Sequence, residues 1–357
     1  MGKNKGNKAF VSTMAEKAAN SGDMQFSCIG YHESATPTVF DKKTSKDYIS
    51  WGEDNKFPQY LYDLYLKNSN LQAVVNNITD YVMGENIQLS NEWVLDADTL
   101  SKCVFDYILF GGFALEGLRS ASGDIVQLNH IDVQWVRVKE DLTTAYISSK
   151  WGCFKPDKLD ILPLYNEEEK QNHFIYYYRG KVTRNINPIP SYVSALKSIE
   201  ILNSTRNYHL HNLENNFAGS VVVSLNGTSI KASELQAIKK QLEGEYTGTD
   251  NAGKVLLINN ANSEGKVEVS RLTPDNAGDL YQNLAKSAED DIFVAFRMNP
   301  ILCGKNVATG FSKEEFEQAF ALFYATVIKP IQATLTACLA DLGQSVTFNK
   351  FIIDWGD

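Results

Sequence analysis

The sequence has no paired cysteines, no surplus of positive charge, no long apolar run and no complete catalytic signature. Its five cysteines, Cys28, Cys103, Cys153, Cys303 and Cys338, are scattered, odd in number and never spaced as CxxC. That excludes a disulfide framework and a zinc ribbon, and it fits a reducing compartment. The 34 Lys and Arg against 43 Asp and Glu leave a formal charge of -9, the reverse of a protein that grips nucleic acid by neutralising phosphates. Any DNA contact is therefore expected to be local and weak. The most apolar stretches, such as Ala319 to Ile328, fall short of the roughly 20 residues a bilayer crossing takes, so a soluble chain without a membrane partner is expected. Met1 to Phe10 is basic, but no signal-type apolar run follows, and Gly6 stands where a myristoylation motif takes Ser or Thr.

No GxSxG, HExxH or papain-like cysteine setting occurs, so nucleophilic and zinc-hydrolase chemistries lack a first residue. His32, His130, His173, His209 and His211 form no ligand pattern; His209 and His211, two apart, point away from each other on a helix. The run Glu167, Glu168, Glu169, Lys170 reads as a solvated loop. Gly248, Thr249, Asp250, Asn251, Ala252, Gly253, Lys254 has phosphate-loop spacing up to its lysine, but Val255 stands where a hydroxyl must hold magnesium. The order is also helix, loop, strand, whereas phosphate binding needs strand, loop, helix. The reading is a turn: no catalytic residue, no metal and no cofactor.

What is present is an ordinary folded composition, 43% hydrophobic and 22% charged, on a length that implies two or three packed units. Residues 1 to about 45, rich in Lys, Asn, Ser, Thr and Gly, read as a poorly ordered arm. Helices are predicted at Phe57 to Leu66, at Ser69 to Met83 with Ser69 as cap and Gly84 as stop, and at Asp98 to Phe110. Strands follow at Phe113 to Arg119, Ile125 to Leu128, Val133 to Val138, Ala145 to Ser149 and His173 to Tyr178. Pro188, Ile189, Pro190 close this α+β unit, and a long helix runs from Ser191 to about Asn216, with few aliphatics between Asn203 and His209.

A small β-α-β-β unit comes next: Val221 to Leu225, helix Ala232 to Tyr246, Lys254 to Ile258 and Lys266 to Leu272. A second long helix is predicted from Thr273 and Pro274 to about Met298. Asn299 to Phe311 reads as a long exposed loop, and Ser312 with Glu315 as a capping box. The last helix is expected to bend at Pro330 and stop at Gly343, before a final strand from Val346 to Ile353.

Four local sequences, in this order, resemble the portal proteins of long-tailed phages: DYILFGGFALEGLR from Asp106 to Arg119, with the hairpin after it; PIPSYVSALKSIEILNSTRNYHLHNLENNFAG beginning at Pro190; NAGKVLLI from Asn251; and DDIFVAFRMNPILCGKNVATGFSKEEFEQAF from Asp290 to Phe320. Ile301 and Cys303 depart from the family's more usual proline and leucine.

The resemblance implies an α+β portal fold. Its parts would be an arm at 1–45, a wing at 46–189, stem helices at 190–218 and 273–298 bracketing an α/β clip at 219–272, a tunnel loop at 299–312, and a wing helix and strand at 313–357, with the crown reduced or absent. It implies a homo-oligomeric ring of twelve at one capsid vertex of the virion, assembled in the bacterial cytoplasm. This head-tail connector would be a structural protein and not an enzyme, serving DNA packaging and DNA ejection. Its partners would be the major capsid protein, the large terminase, a head-tail adaptor and double-stranded DNA bound without sequence preference. Lys305, Asn306, Thr309 and Lys313 would face DNA in the channel. Arg206 and His209, facing Lys286, Glu289 and Asp290, would serve contacts between subunits. The alternatives are another phage structural protein, such as a minor capsid component, and a nucleotide-binding enzyme built on Gly248 to Lys254.

Overall fold

The structure is a computed structural model that describes residues 25–28, 39–42, 47–151, 159–180, 185–214, 220–226, 255–260, 268–272, 277–305 and 312–352. The chain divides into a smaller unit, residues 1–35 and 203–285, and a larger one, residues 36–202 and 286–357.

In the smaller unit, β1 (Gln25–Cys28) is an edge strand, antiparallel to a later strand of the same sheet. It corrects the expectation of an arm without regular structure through residue 45. So does Asp41 in the larger unit, whose carboxylate accepts from the backbone N–H groups of Ile186 and Asn187 at 2.6 and 2.9 Å.

The larger unit begins its helices with α1 (Phe57–Lys67) and α2 (Ser69–Met83). Pro58 sits in the first turn of α1, where its missing N–H costs nothing. The predicted stripe Leu71, Val74, Val75, Ile78 and Val82 is buried, but the cap of α2 is Asn68 rather than Ser69. The Asn68 carboxamide oxygen accepts from the N–H groups of Asn70 and Leu71 at 3.1 and 3.0 Å, leaving Ser69 as the first helical residue.

After the short strand β2 (Gln88–Leu89), α3 (Ala97–Phe110) is capped by Asp96, which accepts from Thr99 N–H at 2.7 Å. It ends at Gly111, in the left-handed region at φ 88°. Strands β3 (Phe113–Arg119), β4 (Ile125–Ile131), β5 (Val136–Val138), β6 (Thr144–Ile147), β7 (Asp160–Pro163) and β8 (His173–Tyr178) form two antiparallel sheets, ordered β4-β3-β8 and β5-β6-β7. The predicted strand from Val133 starts instead as a 3-10 turn, Val133–Trp135, and β7 is a strand the sequence did not signal.

A second 3-10 turn, Val193–Ala195, leads into α4 (Leu196–Glu214), whose residues through Leu202 belong to the larger unit. The remaining strands of the smaller unit are β9 (Ser220–Asn226), β10 (Val255–Asn260) and β11 (Glu268–Leu272), in the sheet order β1-β10-β9-β11. Strands β9 and β10 are parallel, with Val222 opposite Leu256. Parallel neighbours need a crossover connection, and residues 227–254 supply the length for one. The predicted helix Ala232 to Tyr246 and the Gly248 to Lys254 turn fall in that connection, outside the described residues, as does the predicted helix start at Thr273 and Pro274.

Helix α5 (Ala277–Ala295) runs from the smaller unit into the larger, where α6 (Lys313–Phe323), a π-helical turn at Tyr324–Ile328 and α7 (Lys329–Asp341) follow. This π turn stands just before Pro330, where a bend is expected. Proline offers no N–H and its ring clashes with the carbonyl four residues back, at Thr326, so the preceding turn widens. The strand expected from Val346 to Ile353 shortens to β12 (Val346–Thr347), paired with β2.

One membrane expectation fails on composition. The continuous helix Lys313–Asp341 is long and apolar enough to cross a bilayer. Its Phe316, Phe320, Phe323, Ile328, Leu335 and Leu339 are nevertheless buried in the protein core.

Candidate functional site

The stretch read as one exposed loop, Asn299 to Phe311, is in its first half a packed turn. Helix α5 buries Ala288, Ile292 and Phe293, and the chain then passes through Arg297 in the left-handed region at φ 54°. Asn299 accepts from Ile301 N–H at 3.1 Å and caps the 3-10 turn Pro300–Cys303, whose Ile301 and Leu302 are buried. The carbonyl of Leu302 accepts from Tyr81 Oη at 2.8 Å and from Asn77 Nδ2 at 3.1 Å, both on α2.

Ser312 Oγ accepts from Glu315 N–H at 3.3 Å and caps α6. The Tyr81 ring packs edge-on against Phe320, centroids 5.1 Å apart. One tyrosine therefore contacts the 3-10 turn through its hydroxyl and helix α6 through its ring. Burial raises the Tyr81 hydroxyl to about 12, so it stays a proton donor throughout the neutral range.

Lys305 follows the 3-10 turn Pro300–Cys303. Its ammonium pairs with the Glu289 carboxylate and sits 5.8 Å from the centre of the Phe293 ring. Glu289 also accepts from Asn70 Nδ2 at 2.6 Å. The positive charge expected to face DNA is thus already matched within the chain, and Glu289, expected at a subunit contact, is committed to it. Lys313 is exposed in the first turn of α6, beside Glu314 and Glu315. Asn306 and Thr309 lie outside the described residues.

Arg206 and His209 are exposed on the smaller-unit portion of α4, where the His209 ring meets Tyr281 edge-on at 6.0 Å and Tyr208 lies 4.6 Å from Tyr281. Lys286 and Asp290 are exposed on the larger-unit portion of α5. Of the predicted site residues, the fold joins Lys305 to Glu289.

A second constellation had no sequence signal, because its members come from separate elements. Asp106, buried on α3, accepts from Val133 N–H at 3.1 Å and shares a 2.8 Å hydrogen bond with His130 Nε2 on β4. Burial pushes the Asp106 carboxyl up to about 6, against the lowering by His130 and the Val133 N–H. Asp132, next to this pair, completes a set of three groups able to hold a metal ion. They line an open cleft of about 620 Å³.

Comparison with known proteins fits a mixed fold of this kind. The structure resembles a chain in the virion of a native gene transfer agent particle, with a TM-score of 0.53 at 15% identity, covering 81% of this chain and 83% of that one. It also resembles a chain in the neck of the native particle computed with C12 symmetry, with a TM-score of 0.52 at 14% identity, covering 82% and 84%. In fold, the protein resembles chains of the gene transfer agent particle and its neck. Residues 86–351 match the phage portal protein family. The probable portal protein of Escherichia phage P2 is 19% identical over 325 residues, 88% of this chain and 89% of that relative. The chain belongs to the phage portal protein family.

Proposed function

We propose that this portal protein assembles into a ring, twelve-membered by analogy with the symmetric neck, at one vertex of the capsid. The ring is the channel for DNA packaging and ejection and the platform on which terminase and tail adaptor dock. The observation that carries this reading is the order of elements across the family match. Two long helices, α4 and α5, bracket strands β9, β10 and β11, and the 3-10 turn Pro300–Cys303 follows. In this reading residues 46–189 are the wing, 190–218 and 273–298 the stem, 219–272 the clip, 299–312 the tunnel loop and 313–357 the closing helix and strand. Exposed apolar side chains support a covered surface between copies: Trp93 is 95% exposed, Val294 73% and Leu322 69%.

Contact with DNA is weak by construction. The chain is acidic overall, and Lys305 already meets a carboxylate, so few counterions are released when a phosphate approaches. A channel through which a genome slides both ways needs such contacts. Fluorescence anisotropy with duplexes of unrelated sequence tests this: dissociation constants of about 10⁻⁶ M or weaker at physiological salt, independent of sequence, are expected. Tight sequence-dependent binding would oppose it. ATP turnover that is lost on Lys254→Ala would favour the enzyme instead.

A further inference from the structure

We propose that Asp106, His130 and Asp132 bind one divalent transition-metal ion, with Zn²⁺ the best fit, which ties α3 to the end of β4. The donor atoms of the three side chains lie within 4.8 Å of one another. Metal–nitrogen and metal–oxygen bonds of about 2.0–2.2 Å place neighbouring donors of a tetrahedral site roughly 3.3 Å apart. The His130–Asp106 contact of 2.8 Å opens by about half an ångström to admit the ion, a small side-chain rotation.

Three features make this a site rather than a chance meeting. Two carboxylates crowd one imidazole, and among the described residues no Lys or Arg is paired with either. Lys102, which lines the same cleft, pairs instead with Asp98 on its own helix. Asp106 is held by the Val133 N–H, the sort of outer contact that orients a ligating carboxylate. The cleft leaves room for water to fill the remaining coordination position. An imidazole among the donors favours zinc over magnesium or calcium, which take oxygen ligands.

The test uses the full-length chain, stripped with chelator and titrated with Zn²⁺ and, as a contrast, Mg²⁺. One equivalent of Zn²⁺ is expected to bind. The thermal midpoint should rise by about 3 °C at a hundredfold excess over the dissociation constant. Mg²⁺ should do neither. Asp132→Asn should abolish both effects, and His130→Gln should weaken binding at least tenfold, with circular dichroism unchanged. Should His130→Gln fail to fold, Asp132→Asn decides alone, because Asp132 is only half-buried. Co²⁺ in place of zinc should give visible bands without thiolate charge transfer. Absence of uptake, uptake undiminished in Asp132→Asn, or a thiolate band that puts the ion on cysteine would each overturn the proposal.

Discussion

Arg137 is fully buried, and among the described residues no carboxylate is hydrogen-bonded to it. Its guanidinium donates to the carbonyls of Gln134, Val136 and Asn55 and to the Asn55 side chain, between the rings of Trp51 at 5.4 Å and Trp151 at 4.9 Å. Arg137→Met would leave those carbonyls unanswered in the core, and a loss of about 2–4 kcal/mol is expected in urea denaturation. Arg137→Lys should recover little, because an ammonium cannot reproduce the planar fork. Strand periodicity could not reveal this role: all three residues of β5 are buried, so alternation does not separate an inward arginine from an outward one.

Asp96 gives a test in pH. The N–H of Thr99, with help from Lys102, holds its carboxyl below the usual carboxylate range. A carboxyl lowered on folding stabilises above its unfolded value and loses that contribution as pH falls through the folded one. Asp96→Ala should cost about 1 kcal/mol at pH 7, and the gap to wild type should close below about pH 4. Thermal melts across that range measure it.

At the scale of elements, helix α2 and strands β3 and β8 were legible because their apolar spacing agrees with the faces they bury. Strand β7 was not: Asp160–Pro163 shows no buried residue, and it exists because β6 offers it a ladder. The cap of α2 shifted by one residue because Asn68 and Ser69 are both good caps and only geometry chooses between them. The Tyr81 clasp was half visible, since Tyr81 stands three residues past Ile78 on the buried side of α2, but its partners are over 200 residues away.

Gly111 is the junction where α3 must end and residues 188–190 must close over it. A Cβ there would stand 2.3 Å from the Ile189 carbonyl oxygen, on a backbone that already needs φ 88°. Gly111→Ala should therefore destabilise by more than the roughly 1–2 kcal/mol of left-handed strain, measured by the urea midpoint at unchanged slope.

For the whole molecule, the order of the two long helices around strands β9, β10 and β11 was readable from sequence, whereas the pairing of Lys305 was not. Lys305, expected to face DNA, pairs with Glu289, and only a contact between separate elements could show that pairing. Assembly should depend on surface that the isolated chain leaves bare. Trp93→Ala, at a position 95% exposed, should leave the melting temperature within about 1 °C while lowering the fraction of chains in rings, read by analytical ultracentrifugation.

The most direct measurement is electron microscopy of the purified full-length chain over rising concentration. Closed rings with a central hole wide enough for duplex DNA are expected. Monomers or open, irregular clusters at every concentration would contradict a portal ring.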